Sequence, residues 1–213
     1  QCEKKTMTSR VKMYELYKAV SYVVKSNLPG DFVECGVWKG GSVMVMALTL
    51  RELGATNRNI YLYDTFDGMS EPTAEDVSID GNSAKKLLNE SEKDDQSIIW
   101  AYSGMEVVKK NILSVGYDQE KIHFVKGKVE DTIPETIPDK ISLLRLDTDW
   151  YESTKHELEH LFPRLSKGGI LILDDYGHWQ GARKAADDGA HFGGAEHAAG
   201  RRAEGLGHEI EGG

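Results

Sequence analysis

Two acidic clusters carry most of the chemistry this sequence could perform. Asp147-Thr148-Asp149 and Asp174-Asp175 each stand directly behind an apolar run, Ile141 to Leu146 and Ile170 to Leu173. Carboxylates brought to one point repel one another unless a cation lies between them. Oxygen donors with no companion His/Cys set suit a hard ion such as Mg²⁺. The bland alternative is a pair of solvated loops, with Asp149 or Ser153 capping the next helix. A third chemical segment is Glu34-Cys35-Gly36-Val37-Trp38-Lys39-Gly40-Gly41-Ser42. Its glycines permit a tight turn and close backbone approach, and the helix that follows offers free N–H groups. The spacing is not G-x-G-x-x-G, and Glu34 would repel a pyrophosphate. An adenosyl group bearing an ammonium and a sulfonium would be attracted. A fourth point is Asp64, which closes the run Ile60 to Tyr63. It can take both hydroxyls of a ribose or simply cap a turn.

The elements that must position these residues follow from periodicity. Helical spacing covers Ser9 to Asn27, Ser42 to Leu53, Met105 to Val115 and Ser153 to Leu165, with a last helix from about Trp179 to Asp188. Short apolar runs at 31–36, 60–64, 121–126, 141–146 and 170–173 read as strands. Strands alternating with helices predict an α/β fold with a mainly parallel sheet covered on both faces. In such sheets ligands bind at the carboxyl ends of the strands, where all four segments fall. Thr65 to Trp100 is polar and broken by Pro72 and Gly81, so a lid, a binding loop or disorder is expected there. Trp100, Tyr102, Trp150, Tyr151 and Trp179 could stack on a ligand or pack in the core.

The 213 residues divide into an expected catalytic domain, 1–188, and a Gly/Ala-rich tail, 189–213, expected to be disordered. Twenty-six Lys and Arg against 35 Asp and Glu give a net charge of −9. That charge disfavours nucleic acid or an anionic membrane as partner. Cys2 and Cys35 lack the numbers for a disulfide framework or the spacing of a zinc site. No apolar run reaches the length of a membrane span, and no signal-peptide pattern is present, so a cytoplasmic location is expected.

The segments 31–42, Tyr63-Asp64-Thr65-Phe66-Asp67-Gly68-Met69, 146–151 and 174–183 occur in an order that resembles the macrocin O-methyltransferase (TylF) family, from about Thr8 to Asp187. The resemblance implies a Rossmann-like class I methyltransferase fold, S-adenosyl-L-methionine, and Mg²⁺-dependent methylation of a sugar hydroxyl on a natural product. Family members act on deoxysugars of macrolide and aminocoumarin antibiotics. Matched by position, Glu34, Gly36, Gly40 and Ser42 would serve the cofactor, Asp64 its ribose, and Glu130-Asp131 the adenine side. Arg10, with Ser9, would approach the cofactor from the N-terminal segment. Asp147, Asp174 and Asp175 would hold the metal. Asp147 is the first expectation for general base, with Asp149 and His178 in reserve. The family's closing β-hairpin has no counterpart after Ala186, so that hairpin is expected to be missing or disordered. An exposed strand edge would then invite self-association. The rival readings are a metal-dependent glycosyltransferase using Asp147-Thr148-Asp149, a non-catalytic cofactor-binding remnant, and a dehydrogenase.

Overall fold

The computed structural model describes residues 2–94 and 97–189. Five strands form one parallel sheet: β1 (Asp31–Cys35), β2 (Ile60–Asp64), β3 (Ile122–Lys126), β4 (Ile141–Leu146) and β5 (Leu165–Leu173). Their order is β3-β2-β1-β4-β5. The chain therefore winds outward from β1 to β3, returns to the far side of β1, and opens a crevice at the carboxyl ends of β1 and β4.

Helices cover both faces, as the alternation of elements requires. On one face lie α1 (Arg10–Lys25), α2 (Gly41–Glu52) and α4 (Met105–Leu113), through Leu16, Val20, Met44, Leu50, Val108 and Ile112. On the other lie α5 (Val129–Thr132) and α6 (Tyr151–Leu161), through Val129, Leu158 and Leu161. Ser9 starts α1 by accepting the Lys12 N–H at 3.3 Å. The period of two along a strand decides which side chains share a face. Phe32 and Leu143 enter the core under α1, so Glu34 and Arg145 point to that same side. They are also register partners across β1 and β4.

The structure settles one expectation and changes two. Thr65 to Trp100 is ordered architecture where it is described, not an open loop. It contains α3 (Ala84–Asn89) and bridges Val77 to Ser83 and Ser78 to Trp179. Its Ala84 and Leu88 pack with Trp150, Trp179 and Ala182. The signal was missed because the partners lie ~60 to 90 residues away and local composition is polar. Trp150 and Trp179 are buried and meet edge to face at 5.0 Å, so for these two the core reading holds. Finally, β5 begins at Leu165, ahead of Ile170, and is only half-buried as an edge strand. Among the described residues no strand pairs with its outer side.

The last helix, α7 (Gln180–Gly189), ends the described chain. The disordered tail and the missing hairpin were expected beyond that point, outside the described residues. Both cysteines are buried and unpaired. No helix among the described residues is long and apolar enough to cross a membrane.

Candidate active site

A cavity of about 470 Å³ occupies the crevice. Its walls come from the glycine loop after β1, the ends of β2 and β4, the turns after β3 and β5, the N-terminal segment 6–12, and the segment after β2 through Met69, Ser70, Ile98 and Ile99, as its reading as a binding loop expects. Gly36 shows why these pieces meet. Its φ is +79°, and a Cβ placed there would lie 1.9 Å from the carbonyl oxygen of Asp147. Only glycine lets the β1 loop rest on the end of β4. Gly40, also at positive φ, packs on Ile112 and Val108, away from the cavity wall. Ser42 is buried at the start of α2 and reaches the cavity.

Asp64 holds this loop in shape. One carboxylate oxygen accepts the N–H of Val37 at 2.7 Å and of Trp38 at 3.1 Å; the other accepts that of Phe66 at 2.7 Å. Burial raises its pKa, and these three backbone donors work against the rise. Asp64 still lines the cavity, as does Glu130 at the start of α5. Asp131 does not reach it. Arg10 is not brought in either: it lies exposed and pairs with Glu3 at 2.7 Å. The residues that enter from this segment are Thr6, Met7, Thr8, Ser9 and Lys12.

The acids expected to bind metal do converge. Asp147, Asp174 and Asp175 each present one oxygen, and the three lie within 4.8 Å of one another. Asp149 has φ +67° and lines the cavity beside them. Its carboxyl is hydrogen-bonded to Asp175 and to Trp179. His178 lies on the same wall, its ring edge-on to Trp179 at 5.2 Å.

The residue that organises these acids is Arg145, which the motifs did not single out. Its side chain is 3% exposed, and one terminal nitrogen (Nη1) lies 2.5 Å from Glu34 Oε1 and 2.7 Å from Asp147 Oδ2. The other (Nη2) reaches Asp174 Oδ1 at 3.0 Å and the Thr8 hydroxyl at 3.1 Å. Lys12 adds a second cation, 3.1 Å from Asp174 Oδ2. A signal was present: an arginine amid the apolar strand Ile141 to Leu146 must find carboxylates when buried.

These contacts sort the acids. Burial pushes Glu34 up to about 8, and Arg145 opposes it. Burial likewise lifts Asp147 to about 8 against the same guanidinium. Burial, then the charge of Asp147, brings Asp149 to about 7. Burial raises Asp175 as well, with Asp149 and Asp174 adding to it. Asp174 differs: burial acts upward, but Arg145 and Lys12 outweigh it and hold the group below the usual carboxylate range.

The sequence profile of the macrocin-O-methyltransferase (TylF) family matches residues 3–194. The chain belongs to this family. It is 36% identical over 171 residues to 8-demethyl-8-(2,3-dimethoxy-alpha-L-rhamnosyl)-tetracenomycin-C 4'-O-methyltransferase of Streptomyces olivaceus, covering 80% of this chain and 62% of that one. It is 31% identical over 183 residues to demethyldecarbamoylnovobiocin O-methyltransferase of Streptomyces niveus, covering 86% and 66%. The chain thus spans less than two thirds of the length of these curated relatives. Among solved structures it resembles the O-methyltransferase NovP, with 32% identity, a TM-score of 0.73, and 86% of this chain and 72% of that one covered. CalS11, a calicheamicin methyltransferase, aligns at 25% identity and a TM-score of 0.59 over 84% and 72%. The sheet and its helices are those of the class I methyltransferase fold.

Membership of the TylF family raises the question of whether the residues present suit a cationic cofactor and a metal ion. Glu34 Oε2 and Asp175 Oδ2 are both buried without a hydrogen-bond partner. Such acceptors are costly to leave unmet. Glu34 suits the ammonium of an aminoacyl cofactor. Around the acid cluster, Asp147, Asp149, Asp174 and Asp175 lie beside Arg145 and Lys12. The close approach of two acids, Asp149 and Asp175, needs one proton. Four carboxylates, two cations and that proton leave the cluster net negative, which suits a further cation.

Proposed function

We propose that this chain is an S-adenosylmethionine- and Mg²⁺-dependent O-methyltransferase acting on a sugar hydroxyl of a glycosylated natural product, as in antibiotic biosynthesis. The observation that carries this reading is the pairing of two orphaned acceptors in one cavity: Glu34 Oε2 by the glycine loop and Asp175 Oδ2 among the acids. One site is suited to an organic cation and the other to a metal ion. A glycosyltransferase would leave the Glu34 loop without a role, and family membership weighs against it. The rhamnosyl group in the name of the Streptomyces olivaceus relative supports a deoxysugar as acceptor.

S-adenosylmethionine supplies a methyl group on a positively charged sulfur, and Mg²⁺ supplies a charge that makes a sugar hydroxyl easier to deprotonate. Glu34 binds the cofactor's ammonium. Asp147, Asp174 and Asp175 hold the ion. The chain's remaining task is to remove the acceptor proton as the new carbon–oxygen bond forms and the carbon–sulfur bond breaks. Asp147, the first expectation for this base, has Oδ2 held by the Arg145 cation, and as a metal ligand its other oxygen would be taken up. Asp149 is the better candidate: it lines the cavity, its partners Asp175 and Trp179 are not cations, and burial lifts its pKa to about 7. His178 is the reserve on the same wall. The walls of the crevice exclude water and hold the acceptor at near-attack distance, ~3–3.5 Å.

The test is methyl transfer to a panel of rhamnosylated acceptors, alongside calorimetry with S-adenosylhomocysteine. Asp149→Asn is expected to lower kcat by about 100-fold or more, with S-adenosylhomocysteine affinity kept within a few-fold. Excess EDTA is expected to stop turnover. Full activity in EDTA would end the metal reading, and full activity of Asp149→Asn would end the base assignment. Tight cofactor binding with no transfer to any acceptor would favour the non-catalytic remnant.

A further inference from the structure

The contacts around the three acids restrict how they can meet an ion. Asp147 has Oδ2 held by Arg145 at 2.7 Å. Asp174 has Oδ1 held by the same guanidinium at 3.0 Å. Asp175 is tied to Asp149 by a side-chain hydrogen bond, while its Oδ2 is unpartnered. Asp147 and Asp174 therefore each have one oxygen held by Arg145. The second oxygen of Asp174 touches Lys12, whose side chain is 53% exposed and also reaches the Asp174 carbonyl at 3.2 Å. Arg145 is 3% exposed, enclosed between β1 and the N-terminal segment.

We infer that Arg145 sets the choice of metal ion, by confining Asp147 and Asp174 to one-oxygen ligation and so favouring a small six-coordinate ion over Ca²⁺. This rests on the metal reading above and deepens it. The chemistry is general. Ca²⁺ takes 6–8 oxygens and often gains them by binding a carboxylate through both, whereas Mg²⁺ accepts single oxygens in near-octahedral geometry. With two of the three acids limited to one oxygen each, the site supplies about half of an octahedron and lacks the two-oxygen contacts by which Ca²⁺ usually gains affinity. Arginine suits this role because its planar fork can hold two carboxylates in fixed directions; a lysine at the same place is a point charge without that geometry. Arg145 acts through the acids and is a positioning residue.

The test measures ion binding without turnover, by calorimetry of Mg²⁺, Mn²⁺ and Ca²⁺ in the presence of S-adenosylhomocysteine. Wild-type protein is expected to bind Mg²⁺ and Mn²⁺ at least about tenfold more tightly than Ca²⁺. Arg145→Lys keeps the charge and loses the fork, and is expected to narrow that preference to about threefold or less. Lys12→Met removes an exposed cation and is expected to move all three affinities together, leaving the preference intact. Should Arg145→Lys fail to fold, infrared difference spectra of the wild-type protein decide. On Mg²⁺ addition, the widely separated carboxylate stretches of one-oxygen ligation support the inference, and the narrow separation of two-oxygen ligation overturns it. Equal binding of Mg²⁺ and Ca²⁺, an unchanged preference in Arg145→Lys, or a changed one in Lys12→Met overturns this inference alone. Binding of no divalent ion overturns it together with the metal part of the proposed function.

Discussion

Gly36 offers the sharpest test of how the cavity is built. Two effects oppose an alanine there, and a second glycine separates them. Gly36 has φ +79° and Gly54 has φ +69°, so alanine meets left-handed backbone at both. That conformation costs an L-residue about 1–2 kcal/mol. At Gly54 nothing lies within 4 Å, so this is the whole penalty. At Gly36 the new Cβ would sit 1.9 Å from Asp147 O, where contacts under 3.0 Å are essentially never found. The loop and the end of β4 must therefore separate by at least 1.1 Å, the difference of those two distances. Misplacement of about 1 Å can cost a factor of about 100 in rate. Gly54→Ala is thus expected to lower Tm by about 2–8 °C with normal S-adenosylhomocysteine binding and methyl transfer. Gly36→Ala is expected to lower Tm further and to lose about 100-fold or more in transfer. Thermal unfolding, calorimetry and the transfer assay read this out on both variants. If Gly36→Ala matches Gly54→Ala in all three, the close approach of the two strand ends does not matter and the account of the site is wrong.

Glu157 is fully buried, accepts from the Thr148 hydroxyl at 3.0 and 3.2 Å, and has its pKa raised well above the usual value, first by burial. A raised folded-state value means that stability is greatest below the unfolded value, about 4.3, and is lost as pH rises above it. Glu157→Gln carries no charge to bury, so its Tm is expected to gain on wild type progressively between pH 5 and 8; a constant difference would refute this. Asp76, also fully buried, accepts the N–H of Tyr151 at 2.7 Å and both the N–H and the hydroxyl of Thr73, at 2.7 and 3.0 Å. Asp76→Ala leaves these donors unmet and is expected to cost about 3 kcal/mol, or about 6–12 °C in Tm, measured by thermal unfolding. A smaller loss than that of Gly54→Ala would show that the segment after Thr65 is not fastened through Asp76.

The sheet was legible because its strands are apolar runs separated by helical periods, and the strand ends because each run stops at an acid or a glycine. The acids at 147, 174 and 175 could be placed together once the order of elements was read. Edges were not legible in the same way. The composition of Ile170 to Leu173 is that of an interior strand; its edge position was expected only from the missing hairpin, and the order of the described strands puts β5 outermost. Arg145 was hidden for a related reason. Its partners Glu34, Asp147, Asp174 and Thr8 come from four separate segments, and periodicity reports the face of a strand without its neighbours. Asp64 could be read as a ribose ligand or a turn cap from its position, and its hydrogen bonds show the second role directly. Thr65 to Trp100 defeated local reasoning because what orders it is aromatic surface from Trp150 and Trp179.

That last packing ties the segment after Thr65 to the turns that carry Asp149 and Asp175. The segment after Thr65 is joined to Trp179 through Ser78, and Trp179 follows Asp174-Asp175 by four residues along a turn in which its N–H binds the Asp175 carbonyl at 3.0 Å. Trp150 presses on the same ring from the residue after Asp149. A bulky acceptor that levers this aromatic pair apart would tug on both acidic turns at once. On the proposed function, an acceptor that fits poorly would loosen the acids that would hold the ion, and acceptor size would register as a change in metal affinity.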